Sequence, residues 1–127
     1  MLDLQALGAC TALGEAWAAL VADGEVRKLG FGGTQDLQSV ARLPGFRAAC
    51  RQVKPASYVD VQQLGGQSEM GLAALTEQVL GKPLDKSLQV SDWSRRPLTP
   101  GQVRYAALDA WVLLDLFNAL GQKTASL

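Results

Sequence analysis

The sequence predicts an α/β fold in which a mainly parallel sheet is flanked by helices, and three observations carry that expectation. Short apolar runs of strand length alternate with longer stretches of helical periodicity. Glycines punctuate the boundaries, with Gly30, Gly32 and Gly33 after one run and Gly81 after another. The chain has 127 residues, 48% of them hydrophobic, and no linker-like or low-complexity segment divides it. A single domain over residues 1–127 with a real core is therefore expected.

Each element has its own reason. Residues 2–7 read as a strand clipped at its start. Residues 12–22 are small and apolar, broken only by Glu15, and predict a helix. The apolar run from Val26 to Phe31 predicts a strand, followed by a tight glycine turn and a helix over 35–42 that Thr34 or Asp36 can start. Pro44-Gly45 breaks that helix, and Phe46 to Arg51 resumes a helical piece. Tyr58 to Gln63 alternates apolar and polar residues, as a strand does, and Leu64-Gly-Gly ends it. Gly71 to Leu80 predicts a helix closed by Gly81, with Pro83 as a stop.

After a loop over 84–98 comes the last helix, roughly residues 100–120. Thr99 is a good N-cap, Pro100 suits the first turn, and Gln102 completes a capping box with Thr99. Val103, Ala106, Ala110, Leu113, Leu114, Phe117 and Leu120 recur at helical spacing and predict its buried face. Trp111 is expected in the core, and Trp93 is expected to anchor the loop or to stack on a base.

Composition narrows the function classes. Twelve Lys and Arg balance twelve Asp and Glu, which argues against a generally basic nucleic-acid binder. The basic residues are unevenly placed, however. Arg27, Lys28, Arg42, Arg47, Arg51 and Lys54 cluster in one stretch, and Lys82, Lys86, Arg95, Arg96 and Arg104 in another. Either group can serve as a solvated face or contact phosphates. The absence of histidine excludes His-dependent zinc sites and Ser-His or Cys-His nucleophile systems. Cys10 and Cys50 are expected to be buried thiols and not a disulfide, and no secretory signal or membrane span is visible, so an intracellular protein is expected.

Two places carry residues suited to phosphodiester chemistry. Tyr105 and Asp109 stand four apart on the last helix, so they lie one above the other on one face. A phenol and a carboxylate held side by side can orient a water and hold a metal, or make an ordinary structural contact. Asp36 opens a helix after a glycine turn, a place that suits either a capping acid or a functional carboxylate. Asp60 is read as a partly buried polar residue without a metal role, and Asp115 as solvated. Asp23-Gly24-Glu25 is ordinary turn chemistry.

The run Asp92-Trp93-x-x-Arg96-Pro97-Leu98 followed by Tyr105-Ala-Ala-x-Asp109 resembles the third motif, and its lead-in, of RNase D-like and Werner-type 3'-5' exonucleases. These form the subgroup of the DnaQ-like superfamily with a tyrosine in the last motif. Lys28-Leu-Gly-Phe-Gly-Gly-Thr-Gln-Asp36-Leu37 resembles the second motif, and the likeness covers about Leu2 to Leu120. The Asp-x-Glu of the first motif has no counterpart, so the resemblance implies an RNase H-like exonuclease fold lacking its first strands, an N-terminally truncated domain.

The resemblance implies hydrolysis of phosphodiester bonds at the 3' end of single-stranded RNA or DNA by a two-metal mechanism with Mg2+ or Mn2+. Asp36 and Asp109 would be metal-linked carboxylates, and Tyr105 would orient the attacking water. Lys86, Arg95 and Arg96 would contact the strand. Without the first-motif acids the chain is expected to be inactive alone. The alternative expectation is a non-catalytic fragment that binds nucleic acid or a partner. A sheet edge left exposed by the missing strands would favour self-association.

Overall fold

The computed structural model describes residues 3–51, 55–66 and 68–125. Leu2 of the expected first strand and the basic residue Lys54 lie outside them. The chain forms two compact units, Leu2–Asp60 and Val61–Leu127.

The first unit contains α1 (Leu4–Leu7), α2 (Thr11–Ala22), β1 (Lys28–Gly30), α3 (Gln35–Ala41), α4 (Arg47–Cys50) and β2 (Tyr58–Asp60). The strands pair in parallel, with Lys28 opposite Tyr58, Leu29 opposite Val59 and Gly30 opposite Asp60. A parallel pair needs a crossover, which α3 and α4 supply.

The described part of the expected strand over 2–7 is instead a helical turn, α1. Asp3 explains the difference: its side chain accepts the Ala6 N–H at 3.3 Å and its carbonyl the Leu7 N–H at 2.9 Å, so it caps a turn. The helix over 12–22 is present as α2 and packs on α4. Gly14, Ala18 and Val21 are its buried residues. The approach is close because Gly14 has no side chain: a Cβ there would lie 2.2 Å from the Gly45 carbonyl oxygen. Phe46, fully buried, fills the centre of this unit.

Both cysteines are free thiols, as expected, but Cys10 is exposed and only Cys50 is half-buried. The Cys50 thiol donates weakly to the Gly14 carbonyl at 3.9 Å, and burial raises its pKa.

The second unit contains α5 (Val61–Leu64), α6 (Leu72–Leu80) and α7 (Pro100–Ala125). The strand expected over 58–63 stops at Asp60, and α5 takes its second half. Val61 is fully buried where α5 packs on α7, and its carbonyl accepts the Gly65 N–H at 3.1 Å to close the turn. Gly81 closes α6 in the left-handed conformation at φ 70°, with its N–H donating to the Glu77 carbonyl at 2.9 Å.

The capping box of α7 is formed in both directions. The Thr99 hydroxyl accepts the Gln102 N–H at 3.1 Å, and the Gln102 side-chain oxygen accepts the Thr99 N–H at 2.9 Å.

The face that periodicity predicts for α7 is met in part: Leu120 is buried and Ala106, Leu113 and Phe117 are half-buried, but the rest of it is exposed. Gln102, Val112, Leu116 and Leu120 are buried, whereas Val103 and Leu114 are 45% and 46% exposed and Ala110 is exposed. Trp111, expected in the core, is 62% exposed. Apolar residues occur all round this helix, so spacing alone does not single out a side. Packing against α5 and α6 decides it, together with the polar bonds that draw Gln102 inward. Among the described residues no helix is long and apolar enough to cross a membrane.

Candidate active site

The second unit has a cavity of about 590 Å³ between the start of α6, the loop before α7 and one side of α7. Lys86, Gln89, Trp93, Tyr105 and Asp109 supply its functional side chains, and Leu72, Ala73, Leu84 and Ala106 its apolar surface. That volume suits a ligand of nucleotide size.

Local chemistry shapes the loop. The Asp85 carboxylate accepts the Ser87 N–H at 2.8 Å and hydroxyl at 2.9 Å, and Asp92 accepts the Ser94 N–H at 3.0 Å and its hydroxyl. These bonds hold both carboxyls below the usual carboxylate range. The Gln102 amide nitrogen then donates to the Ser91 hydroxyl at 3.1 Å and the Asp92 carbonyl at 2.8 Å. One buried glutamine thus caps α7 and holds the loop against it.

Trp93 anchors the loop as well. Its ring lies 5.8 Å from that of Tyr105, tilted by 50°, and its indole N–H points to the Gln89 carbonyl at 3.4 Å. Tyr105 and Asp109 share the cavity-facing side of α7. Desolvation, then Asp109 and Asp85, raise the Tyr105 phenol pKa. Burial raises the Asp109 carboxyl. The phenol therefore remains a hydrogen-bond donor at neutral pH.

The basic residues divide. Lys86 lines the cavity; Arg95 and Arg96 do not. Arg96 turns back onto its own loop, donating to the Trp93 and Arg95 carbonyls at 3.0 and 2.7 Å. Arg95 and Lys86 are exposed, and so is Asp115.

Asp36 belongs to the first unit, exposed in the first turn of α3. It lies beyond the C-terminal end of β1, the side on which parallel α/β sheets bind ligands. Gly32 and Gly33 make the turn there at φ 81° and 98°. Asp60 ends β2, half-buried as expected, and its carboxylate accepts the Gly32 N–H at 3.2 Å.

Tyr58 completes this cluster and was not singled out by sequence. Its hydroxyl donates to the Gly33 carbonyl at 2.5 Å, and burial, then Asp60 and Asp36, raise its pKa. Its signal is the missing side chain at Gly30, where a Cβ would lie 1.9 Å from the Tyr58 hydroxyl.

A pair of divalent ions requires carboxylates that bridge them. The second-unit cavity offers one, Asp109, and among the described residues no three Asp, Glu, Cys or His group together. The donors present therefore do not by themselves fit a two-ion site.

The sequence and fold match a known class. Residues 6–125 match the family model of the 3'-5' exonuclease domain. The chain is 37% identical over 122 residues to the human exonuclease mut-7 homolog, covering 85% of this chain and 14% of that protein. Against Escherichia coli ribonuclease D it is 33% identical over 110 residues, covering 84% and 28%.

Among solved structures, the Aedes aegypti Nibbler EXO domain superposes with a TM-score of 0.73 at 32% identity, covering 89% of this chain and 61% of that one. Escherichia coli RNase D superposes at 0.66 and 29% identity, covering 98% and 30%. The chain belongs to the 3'-5' exonuclease family and has the RNase H-like exonuclease fold of Nibbler and RNase D. It spans less than a third of the length of either curated relative.

Proposed function

We propose that this chain carries the second- and third-motif part of a 3'-5' exonuclease centre and that by itself it binds a nucleic-acid 3' end without cleaving it. The observation that carries this reading is the cavity in which Lys86, Trp93, Tyr105 and Asp109 converge. Lys86 supplies positive charge for a terminal phosphate, and Trp93 an aromatic surface beside it. The Tyr105 phenol, kept protonated, donates a hydrogen bond to a phosphate oxygen or a water. Asp109 supplies a carboxylate on the same face.

The complete reaction of the family is hydrolysis of the terminal phosphodiester bond. Asp109 in the second unit, and Asp36 in the first, are the carboxylates that the family resemblance links to metal, and a two-ion site needs further acids. Arg95 offers a second phosphate contact outside the cavity.

Labelled single-stranded RNA and DNA with free 3' ends test the proposal, in excess Mn2+ and beside Asp109→Ala. Binding with no shortening of the strand is expected. Shortening that disappears in Asp109→Ala would replace this reading with that of a self-sufficient exonuclease. Absence of binding would end both.

A further inference from the structure

The first unit has a second cavity, of about 600 Å³, remote in sequence from the exonuclease motif of α7. Its floor is apolar, built from Trp17 and Val21 of α2, Leu37 and Ala41 of α3, and Pro55. Its rim carries three guanidinium groups, Arg42, Arg47 and Arg51, and among the described residues no carboxylate lines it. All three arginines are exposed, and among the described residues none is ion-paired. Arg47 reaches only toward the Arg42 carbonyl, at 3.5 Å.

We propose that this cavity is a docking site for an acidic peptide segment that presents one bulky apolar side chain between carboxylates. Charge complementarity sets the flanks: guanidinium forks match carboxylates in pairs, and three of them around one opening repel a basic partner. The floor sets the centre. A phenyl or isobutyl group fills an aliphatic hollow without leaving polar atoms unpaired, and tryptophan and arginine are the residues that anchor such contacts. A nucleobase fits less well, because its ring nitrogens and carbonyls would face Val21, Leu37, Ala41 and Pro55. The one neutral amide on the lining, Gln38, is turned toward the Thr34 hydroxyl at 3.4 Å.

Fluorescence polarisation on the whole chain tests the site with a fluorescein-labelled Glu-Glu-Phe-Asp-Glu peptide. The controls are the same peptide with Ser in place of Phe and a short oligothymidylate. Binding on the order of 10 to 100 μM is expected, weakened about tenfold by the Ser replacement and about tenfold by Arg47→Glu with Arg51→Glu. These arginines are exposed, so circular dichroism of that variant should match the parent chain.

Unlabelled peptide should quench the intrinsic fluorescence, and this quenching should be largely lost in Trp17→Phe; quenching unchanged in that variant overturns the proposal. No binding below about 1 mM overturns the proposal. So does a dissociation constant unmoved by the charge reversals, or displacement of the peptide by the oligothymidylate.

Discussion

Trp93 lies against Tyr105, their ring centroids 5.8 Å apart and their planes inclined by 50°. One ring belongs to the loop and the other to α7, so this contact joins the two walls of the cavity that Asp109 also lines.

Replacing Trp93 by Ala should therefore act on Tyr105. The lost ring pair costs about 1 kcal/mol. Removing its cover also lowers the phenol pKa toward its ordinary value, because desolvation is the first cause of its rise. Alkaline difference absorbance in a Tyr58→Phe background isolates Tyr105, since the chain has two tyrosines. An unmoved titration would show that Trp93 does not shield the phenol.

Asp109 makes an opposite kind of prediction, a gain. Burial raises its carboxyl pKa, so the folded chain holds that proton to higher pH than the unfolded chain. Between the two values the folded state binds more protons, and stability falls as pH rises through the window. At neutral pH the ionised carboxylate is a standing cost. Asp109→Asn should raise the melting temperature at pH 7, with the difference vanishing below about pH 4. A lower melting temperature at pH 7 would mark Asp109 as a stabilising residue instead.

Tyr58 extends the same reasoning to the first unit. Its raised pKa means that stability falls as pH rises from about 10 toward the folded-state value. Asp60 and Asp36 add to the rise after burial. Asp36→Asn should shift the Tyr58 titration to lower pH, measured in a Tyr105→Phe background where Tyr58 is the one tyrosine left. A titration indifferent to Asp36 would place that carboxylate outside the cluster.

Gly14 tests a case where propensity and packing disagree. Glycine to alanine inside a helix ordinarily gains about 1 kcal/mol. Here the new Cβ would meet the Gly45 carbonyl oxygen at 2.2 Å and the Phe46 Cα at 2.7 Å, both backbone atoms. The clash should win, with a net loss of about 2 kcal/mol in urea unfolding. Gly24→Ala meets nothing within 4 Å and should change stability by less than about 0.5 kcal/mol. Equal effects at the two positions would contradict the close approach of α2 to residues 45–46.

What was legible in the sequence was what neighbouring residues decide among themselves. Thr99 and Gln102 announced the start of α7 and Gly81 the end of α6, because caps are local bonds. The Tyr105-Asp109 spacing announced a shared helical face, and both residues line one cavity. Elsewhere a single bond outweighed a pattern, as when Asp3 turned an apolar stretch into a helical turn.

The alternation from Tyr58 to Gln63 satisfied a strand, but burying Val61 against α7 ended it halfway. Trp111, Val103, Ala110 and Leu114 are exposed against expectation because a helix with apolar residues on every side has no preferred direction until its partners are present. Tyr58 stayed hidden because its counterpart is an absence, the missing side chain of Gly30, twenty-eight positions earlier.

Gln102 ties the Ser91 hydroxyl and the Asp92 carbonyl to the first turn of α7, and this divides the preceding loop into two lengths with different freedom. Between Asp92 and Thr99 both ends are pinned to the same helix terminus. Chain added there would bulge outward and leave Lys86 where it is. Chain added between Lys86 and Ser91 would instead change the distance from Lys86 to a fixed point and carry the lysine out of the cavity. Length variation among related chains should accordingly be tolerated after Asp92 and scarce just before it.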